Sequence, residues 1–285
     1  MQRWKIGAVT VTSVVEYEVP LPPDGFLPGA TPELVAAHTW LRPDFADEQG
    51  QLLLRIQALV VESEGLRIVV DTCVGNDKPR TLALFDRVQG PFLTNFAEAG
   101  FSVASVDRVI CTHLHVDHVG WNTVIGPDGD WVPTFPNARY LVGRVELAHW
   151  VTEPSPAGDL LGDSVQPVID AGLVDLVESD HQVTSEVSLH PTPGHTPGHV
   201  SVVIQSGGAR AVITGDVLHH PLQCAVPALA TVFDSDRAAA EAQRRACLAR
   251  WSAERTLVIG THFPGAGAGH LAPEADGYRL ERVRA

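Results

Sequence analysis

Apolar and polar residues alternate from Lys5 to Glu16 in a Val- and Thr-rich stretch, and that period of two predicts a strand. Strands are also predicted at Leu52–Glu62 and Leu66–Val70. Shorter, more uniformly apolar runs at Val106–Cys111, Arg139–Val142, Val187–His190, Val200–Ile204 and Ala211–Thr214 predict further strands, with Leu257–Gly260 as the last. Helices are predicted over about Pro91 to Ala99, stopped by Gly100, and near Val145–Trp150. A third covers Asp236–Trp251, which is alanine-rich with arginines toward its end, where they complement the helix dipole. The acidic stretch between Trp150 and Asp180 reads as irregular.

From Val19 to about Gly50 the pattern breaks. Pro20, Pro22, Pro23, Pro28, Pro32 and Pro43 punctuate it, and one short helix is predicted to begin at Thr31-Pro32-Glu33, with a threonine cap and a proline in its first turn. The segment carries Phe26, His38, Trp40 and Phe45. It reads as a flap over a pocket, the alternative being a surface excursion that packs its own aromatics.

A faint internal echo exists. Gly65–Asp71 and Gly208–Ile213, followed by Asp216, both run tight turn, apolar strand, terminal aspartate. That suits two similar sheet-and-helix halves with a site between their strand ends. No linker or low-complexity segment marks a second domain, so a single domain over residues 1–285 is expected.

Composition narrows the function classes. With 45% hydrophobic and 19% charged residues the chain has material for a substantial core. Its net charge of −14, without any Lys/Arg-rich run, argues against nucleic acid or an anionic membrane as partner. No apolar run approaches signal-peptide or transmembrane length, and Cys73, Cys111, Cys224 and Cys247 form no CxxC pair. A reduced, cytoplasmic setting is therefore expected, without disulfides or a thiolate zinc site.

The chemistry concentrates in Cys111-Thr112-His113-Leu114-His115-Val116-Asp117-His118-Val119-Gly120, where four metal-competent side chains fall within six positions after a buried strand. His113 and His115, two apart on an extended backbone, project to one side. Asp117 and His118 fall where the chain is expected to turn into a helix. Further donors follow in turns at predicted strand ends: His195 in Pro193-Gly194-His195-Thr196-Pro197-Gly198-His199, Asp216 in Thr214-Gly215-Asp216, and His262 in Gly260-Thr261-His262. A lone histidine after a strand is more often a hydrogen-bonded or surface residue than a ligand. The dense HxHxDH cluster, followed in order by the other turns, favours a metal centre, and imidazole with carboxylate suits zinc and similar divalent ions.

HxHxDH, then GHTPGH, TGD and a terminal histidine, resembles the metallo-β-lactamase superfamily over roughly Lys5 to His262. The resemblance implies a four-layer αββα sandwich. It implies that His113, His115 and His195 bind one metal and that Asp117, His118 and His262 bind the other, with Asp216 bridging. Asp71 matches that family's first acidic turn, a structural hydrogen-bonding residue. Two divalent ions, zinc foremost, held about 3.5–4 Å apart would share a hydroxide for hydrolysis, and Asp117 would steer or accept its proton.

Within the superfamily, Cys111–Thr123, Phe135–Tyr140 and Gly215–Gln223 resemble the branch of N-acyl-homoserine lactonases and methyl-parathion-hydrolase-like esterases. A small-molecule lactone or carboxylic ester is the substrate class this implies. Organophosphate, phosphoester or thioester hydrolysis on the same site is the alternative, and an iron-dependent oxidoreductase or a non-catalytic metal sensor is more remote. The bacillary lactonases have a tyrosine shortly after the bridging aspartate; here His219 stands there, and the chain's tyrosines are Tyr17, Tyr140 and Tyr278. His219 either donates a hydrogen bond or proton in catalysis or supports Asp216. Phe26, Trp40, Phe45 and Trp121 are expected to line the substrate pocket. Cys111 reads as a buried strand residue and His199 as packing behind its loop, while His149, His181, His190 and His270 receive no role. Relatives in this branch are often homodimers, which leaves the oligomeric state open.

Overall fold

Along the third strand, Leu59 and Val61 face one hydrophobic core while Ala58 and Val60 face another. That two-sided burial organises the whole fold of this computed structural model, which describes residues 1–283. The first sheet comprises β1 (Arg3–Ile6), β2 (Val9–Leu21), β3 (Leu52–Ser63), β4 (Leu66–Val70) and β5 (Arg108–Cys111). Past a separate small hairpin, β6 (Thr123–Ile125) and β7 (Trp131–Pro133), it is completed by β8 (Arg139–Gly143) and β9 (Val174–Val177). A six-stranded second sheet runs β10 (Val187–Pro191), β11 (Val200–Ser206), β12 (Ala209–Ile213), β13 (Leu257–Ile259), β14 (Ala268–Glu274) and β15 (Gly277–Arg282).

The sheets meet through one set of alternating residues. Val9, Val11, Leu59, Val61, Ile68, Val70 and Ile110 from the first pack with Val200, Val202, Ile204, Ile213 and Ile259 from the second. Each such side chain contributes roughly 1.5–3 kcal/mol by leaving water. The opposite faces, through Val60, Val69, Val109, Val212 and Val258, receive the helices. Here α3 (Phe92–Glu98) and α4 (Arg144–Thr152) cover the first sheet and α7 (Arg237–Ala253) covers the second. The layers are therefore helix, sheet, sheet, helix.

The internal echo is real in three dimensions. An antiparallel hairpin, β3–β4 or β11–β12, is followed in each sheet by a parallel neighbour, β5 or β13. Parallel strands end on the same side, so the residues after β4, β5, β12 and β13 gather along one rim.

Several expectations need correction. The first predicted strand is two, because Gly7 adopts φ +58° and turns the chain back into a β1–β2 hairpin. No α-helix follows the HxHxDH motif: Thr112 N–H and Leu114 N–H go to the carboxylates of Asp71 and Glu146, and Trp121 N–H goes to Thr72 O, leaving only a 3-10 turn at Gly120–Asn122. The acidic stretch between Trp150 and Asp180 holds a π-turn at Leu161–Val165, α5 (Gln166–Asp170) and β9. Its anchor is Asp163, buried in a bidentate pair with Arg80 and near Lys78, a long-range contact that local pattern cannot reveal. Leu257–Ile259 is not the last strand, since β14 and β15 follow it.

The segment 19–50 sends some side chains into the core and leaves others, such as Thr31, Glu33, Glu48 and Gln49, exposed. The capped helix is present as α2 (Pro32–Ala37), which follows the single turn α1 (Pro23–Phe26); Thr31 accepts Leu34 N–H. Leu27, Ala30, Val35, Leu41, Phe45 and Ala46 are buried in the core.

Candidate metal centre

Each motif turn along the rim is held by hydrogen bonds that leave its donor atoms facing inward. Asp71, at the end of β4, accepts the N–H and hydroxyl of Thr112 at 2.8 and 2.9 Å and the Nδ1–H of His118 at 2.9 Å. Because the Thr112 hydroxyl donates to Asp71, its oxygen accepts from His113 Nδ1 at 3.1 Å. His195 Nδ1 donates to Asp234 at 2.8 Å, and His262 Nδ1 donates to the carbonyl of Arg55 at 3.0 Å. Four imidazoles thus carry their proton on Nδ1 and turn an Nε2 lone pair to the interior, tautomers that their partners dictate.

These lone pairs converge. His113 Nε2 and His195 Nε2 lie 3.0 and 2.8 Å from His115 Nδ1. His262 Nε2 lies 3.2 Å from His118 Nε2, and both are within 3.8 Å of Asp117 Oδ2. Asp216 sits between the two groups, with Oδ2 at 3.7, 3.4 and 3.3 Å from His113, His195 and His118, and Oδ1 at 3.2 Å from His262. Two lone pairs facing each other at 3.2 Å need a proton or a cation between them, and buried Asp216 Oδ1 has no hydrogen-bond partner. Both facts are what a divalent cation at each group would resolve, and the all-imidazole and carboxylate donor set fits such an ion. The structure thus brings together all seven residues that the motifs single out.

The electrostatics agree. Burial, reinforced by neighbouring imidazoles, holds His113 and His115 well below the ordinary histidine range. Burial likewise lowers His195 to about 4 against the pull of Asp234. Burial opposes charge on His118 and His262 too, but the nearby carboxylates outweigh it and raise both. For Asp216, burial favours the acid, yet His118, His219, His262 and His113 hold it well below the carboxylate range. The acids of the site call for positive charge at its centre.

Two buried residues that sequence reasoning passed over hold these turns. Glu146, in the first turn of α4, accepts Leu114 N–H with Oε1, and with Oε2 it accepts the Thr196 hydroxyl and Gly198 N–H. It staples the HxHxDH loop to the His195 loop. Asp234 precedes α7 and orients His195. Neither belongs to a motif; an acid between Val145 and Leu147 was the one local signal, and it marked Glu146 alone. His199 does more than pack: its Nε2 accepts Asp216 N–H at 2.8 Å.

Above the centre lies a cavity of about 690 Å³, with His115, Asp117, His195, Asp216, His219 and His262 on its floor. Its walls are mainly apolar, from Leu21, Phe26, Leu54, Leu82, Phe85, Trp150 and Phe233, with the carboxylate of Glu153 beside them. Among the described residues, no lysine or arginine lines it. Of the four expected pocket residues only Phe26 is there, packed edge-on to His219. Trp40 bonds to Glu274 at the surface, and Phe45 packs on Phe263 and His220 in the core. Trp121 stacks on Phe92 and donates to Glu16 beneath the loop. Their neighbours in space, set by distant strands, withdraw all three. His149, given no role from sequence, lies in the wall. His219 Nε2 is 3.1 Å from Asp216 Oδ2, and its buried Nδ1 has no partner. All four cysteines are free and buried, and no helix among the described residues is long and apolar enough to cross a membrane.

Fold and donor set together define an αββα sandwich with a metal-competent centre at the strand ends between its sheets. The chain belongs to the metallo-β-lactamase superfamily, whose sequence profile matches residues 53–262. It is 27% identical over 177 residues to an N-acyl homoserine lactonase of a Bacillus species, covering 58% of this chain and 64% of that protein. It is 30% identical over 119 residues to the N-acyl homoserine lactonase AttM of Rhizobium radiobacter, covering 40% of this chain and 41% of that one. The alignments thus span less than two thirds of either lactonase. Among solved structures, AidC, a dizinc quorum-quenching lactonase in complex with a product, superposes with a TM-score of 0.80 at 21% identity, covering 100% of this chain and 97% of that one. The hydrolase AbOPH of the beta lactamase superfamily superposes with a TM-score of 0.81 at 24% identity and the same coverage.

Proposed function

We propose that this chain is a metal-dependent hydrolase that cleaves a lactone or carboxylic ester. The observation that carries the reading is the convergence of two donor groups on Asp216 at the floor of an apolar cavity. One cation would be held by His113, His115 and His195 and a second by Asp117, His118 and His262, with Asp216 shared. Two such ions, zinc in the first instance, would supply water acidified toward neutral pH and a Lewis acid for a carbonyl oxygen. Since both sheets contribute donors, we take the chain to act as one domain.

The chain's own residues supply the rest. Asp117, partly exposed at the cavity floor, would accept a proton from the attacking water. His219 borders both Asp216 and the cavity, where it would hydrogen-bond to the substrate carbonyl or to the departing oxygen. The apolar walls would take an acyl tail and exclude water. A wall without a cationic side chain favours a neutral substrate over a phosphomonoester, a nucleic acid or a carboxylate-bearing thioester. The names of the lactonase relatives point the same way.

The test is a hydrolysis screen of zinc-reconstituted protein. Acyl-homoserine lactones of varied chain length and aryl esters should be turned over, ahead of thioesters and phosphotriesters. A fully metallated protein inert to every lactone and ester would sink the reading.

A further inference from the structure

Arg244 of α7 is among the largest side chains fully withdrawn from solvent. Its Nε donates to Val217 O at 2.8 Å, and Nη1 donates to Pro227 O and Leu229 O at 2.8 and 3.0 Å. Its Nη2 lies 3.6 Å from Asp234 Oδ2. Burying a cation is costly, and a helix packing on a sheet has no need to incur that cost. The bonds reach two places that matter. Val217 directly follows Asp216, and Asp234 holds His195.

The second contact is elaborate. Asp234 Oδ1 accepts His195 Nδ1–H at 2.8 Å, and Oδ2 accepts Thr231 N–H at 3.1 Å. The backbone continues the clasp, with Ser235 N–H on His195 O at 2.9 Å and Asp236 N–H on Gly194 O at 3.0 Å. The segment 231–236 therefore wraps His195 alone among the histidines of the centre. In the other group His118 is held by Asp71, which also reaches His113 through the Thr112 hydroxyl, and His262 is held by the Arg55 carbonyl.

We propose that Asp234 and Arg244 are a positioning pair for one half of the centre. Asp234 keeps His195 in the Nδ1–H tautomer with Nε2 aimed at His115 and Asp216. Arg244 locks the Asp234 carboxylate and fixes it relative to the Asp216 turn. The pair thereby sets cation affinity at the His113, His115 and His195 group and leaves the Asp117, His118 and His262 group to its separate supports. The inference rests on the two-metal reading above.

Asp234→Asn is the sharpest probe. An amide can accept from His195 only by turning its NH2 toward Thr231 N–H and Arg244, donor against donor. Zinc affinity is measured by chelator competition for wild type, Asp234→Asn, Asp234→Ala and Arg244→Lys. Wild type should take two equivalents. The Asp234 variants should lose roughly ten- to a hundredfold in affinity at one equivalent only, with Arg244→Lys weakened less and at the same one. Nitrogen-15 NMR of the histidine rings in metal-free protein should show the His195 Nδ1–H signal in wild type and in Arg244→Lys but not in Asp234→Ala. Equal weakening at both equivalents, or full affinity in Asp234→Asn, overturns the inference. Should one Asp234 variant fail to fold by circular dichroism, the other and Arg244→Lys carry the test. Wild-type uptake of fewer than two equivalents would count against the two-metal reading itself, and the positioning pair would then stand or fall on the ring proton.

Discussion

The ring Nε2 of His199 accepts the backbone N–H of Asp216 at 2.8 Å. The His199 Nδ1–H is turned to Thr192, so a buried imidazole that points at no cavity aims the aspartate lying between the two donor groups. Gly215, just before that aspartate, adopts φ +55°, and a Cβ there would lie 2.5 Å from His199 Nε2. Gly215→Ala should therefore cost more than about 1 kcal/mol through its backbone alone and displace Asp216 as well. Urea denaturation and zinc content check it; a variant of wild-type stability and full metal content would show that His199 merely fills space.

Asp216→Asn tests the shared carboxylate. Replacing an outer partner of a metal ligand typically costs 10–100-fold in affinity, so changing the shared ligand should exceed about 100-fold. Zinc content below two equivalents and loss of hydrolysis are expected. Full activity in this variant would remove Asp216 from the centre.

His219→Ala separates catalysis from support. If His219 touches the substrate, kcat on a lactone or aryl ester should fall by roughly a hundredfold or more, with zinc occupancy unchanged. Unaltered kinetics would reduce the residue to a brace for Asp216.

Glu16 gives a pH dependence outside the donor set. It accepts Val74 N–H, Gly75 N–H and Trp121 Nε1–H, yet its burial raises its pKa from 4.5 to about 7 against those bonds. Between those values the folded protein keeps a proton that the unfolded chain has released. Stability supplied by that proton is complete below pH 4.5 and is lost as pH rises through about 7. The decline amounts to at most about 3 kcal/mol. Buried histidines held neutral give both proteins a shared rise in stability with pH, so Glu16 is read from the difference: with chelator present, the wild-type urea midpoint should fall relative to that of Glu16→Gln between pH 4.5 and 7.5. Parallel slopes in the two proteins would contradict this.

The donor set was legible because short motifs put chemistry and turn signals side by side. His113 to His118 sit after an apolar strand, and His195, Asp216 and His262 each sit in a glycine-marked turn. A strand with clear alternation, such as β2, was legible for the same local reason. The β14–β15 hairpin was not, since Gly265-Ala266-Gly267-Ala268-Gly269 and Pro273 hide its period. The cavity walls were not legible either, because aromatic content says nothing of which neighbours claim each ring.

By itself the sequence determined which side chains could bind a cation and on which turns they sit. Spacing and periodicity are properties of contiguous residues, and these features need nothing more. Only the tertiary structure decided that Glu146, Asp234 and Arg244 stand behind the donors, reaching the donor-bearing turns across 27 to 52 positions of chain. It likewise decided that Phe26 faces the cavity while Trp40, Phe45 and Trp121 turn elsewhere. Packing between distant strands sets those directions, and no local pattern encodes it.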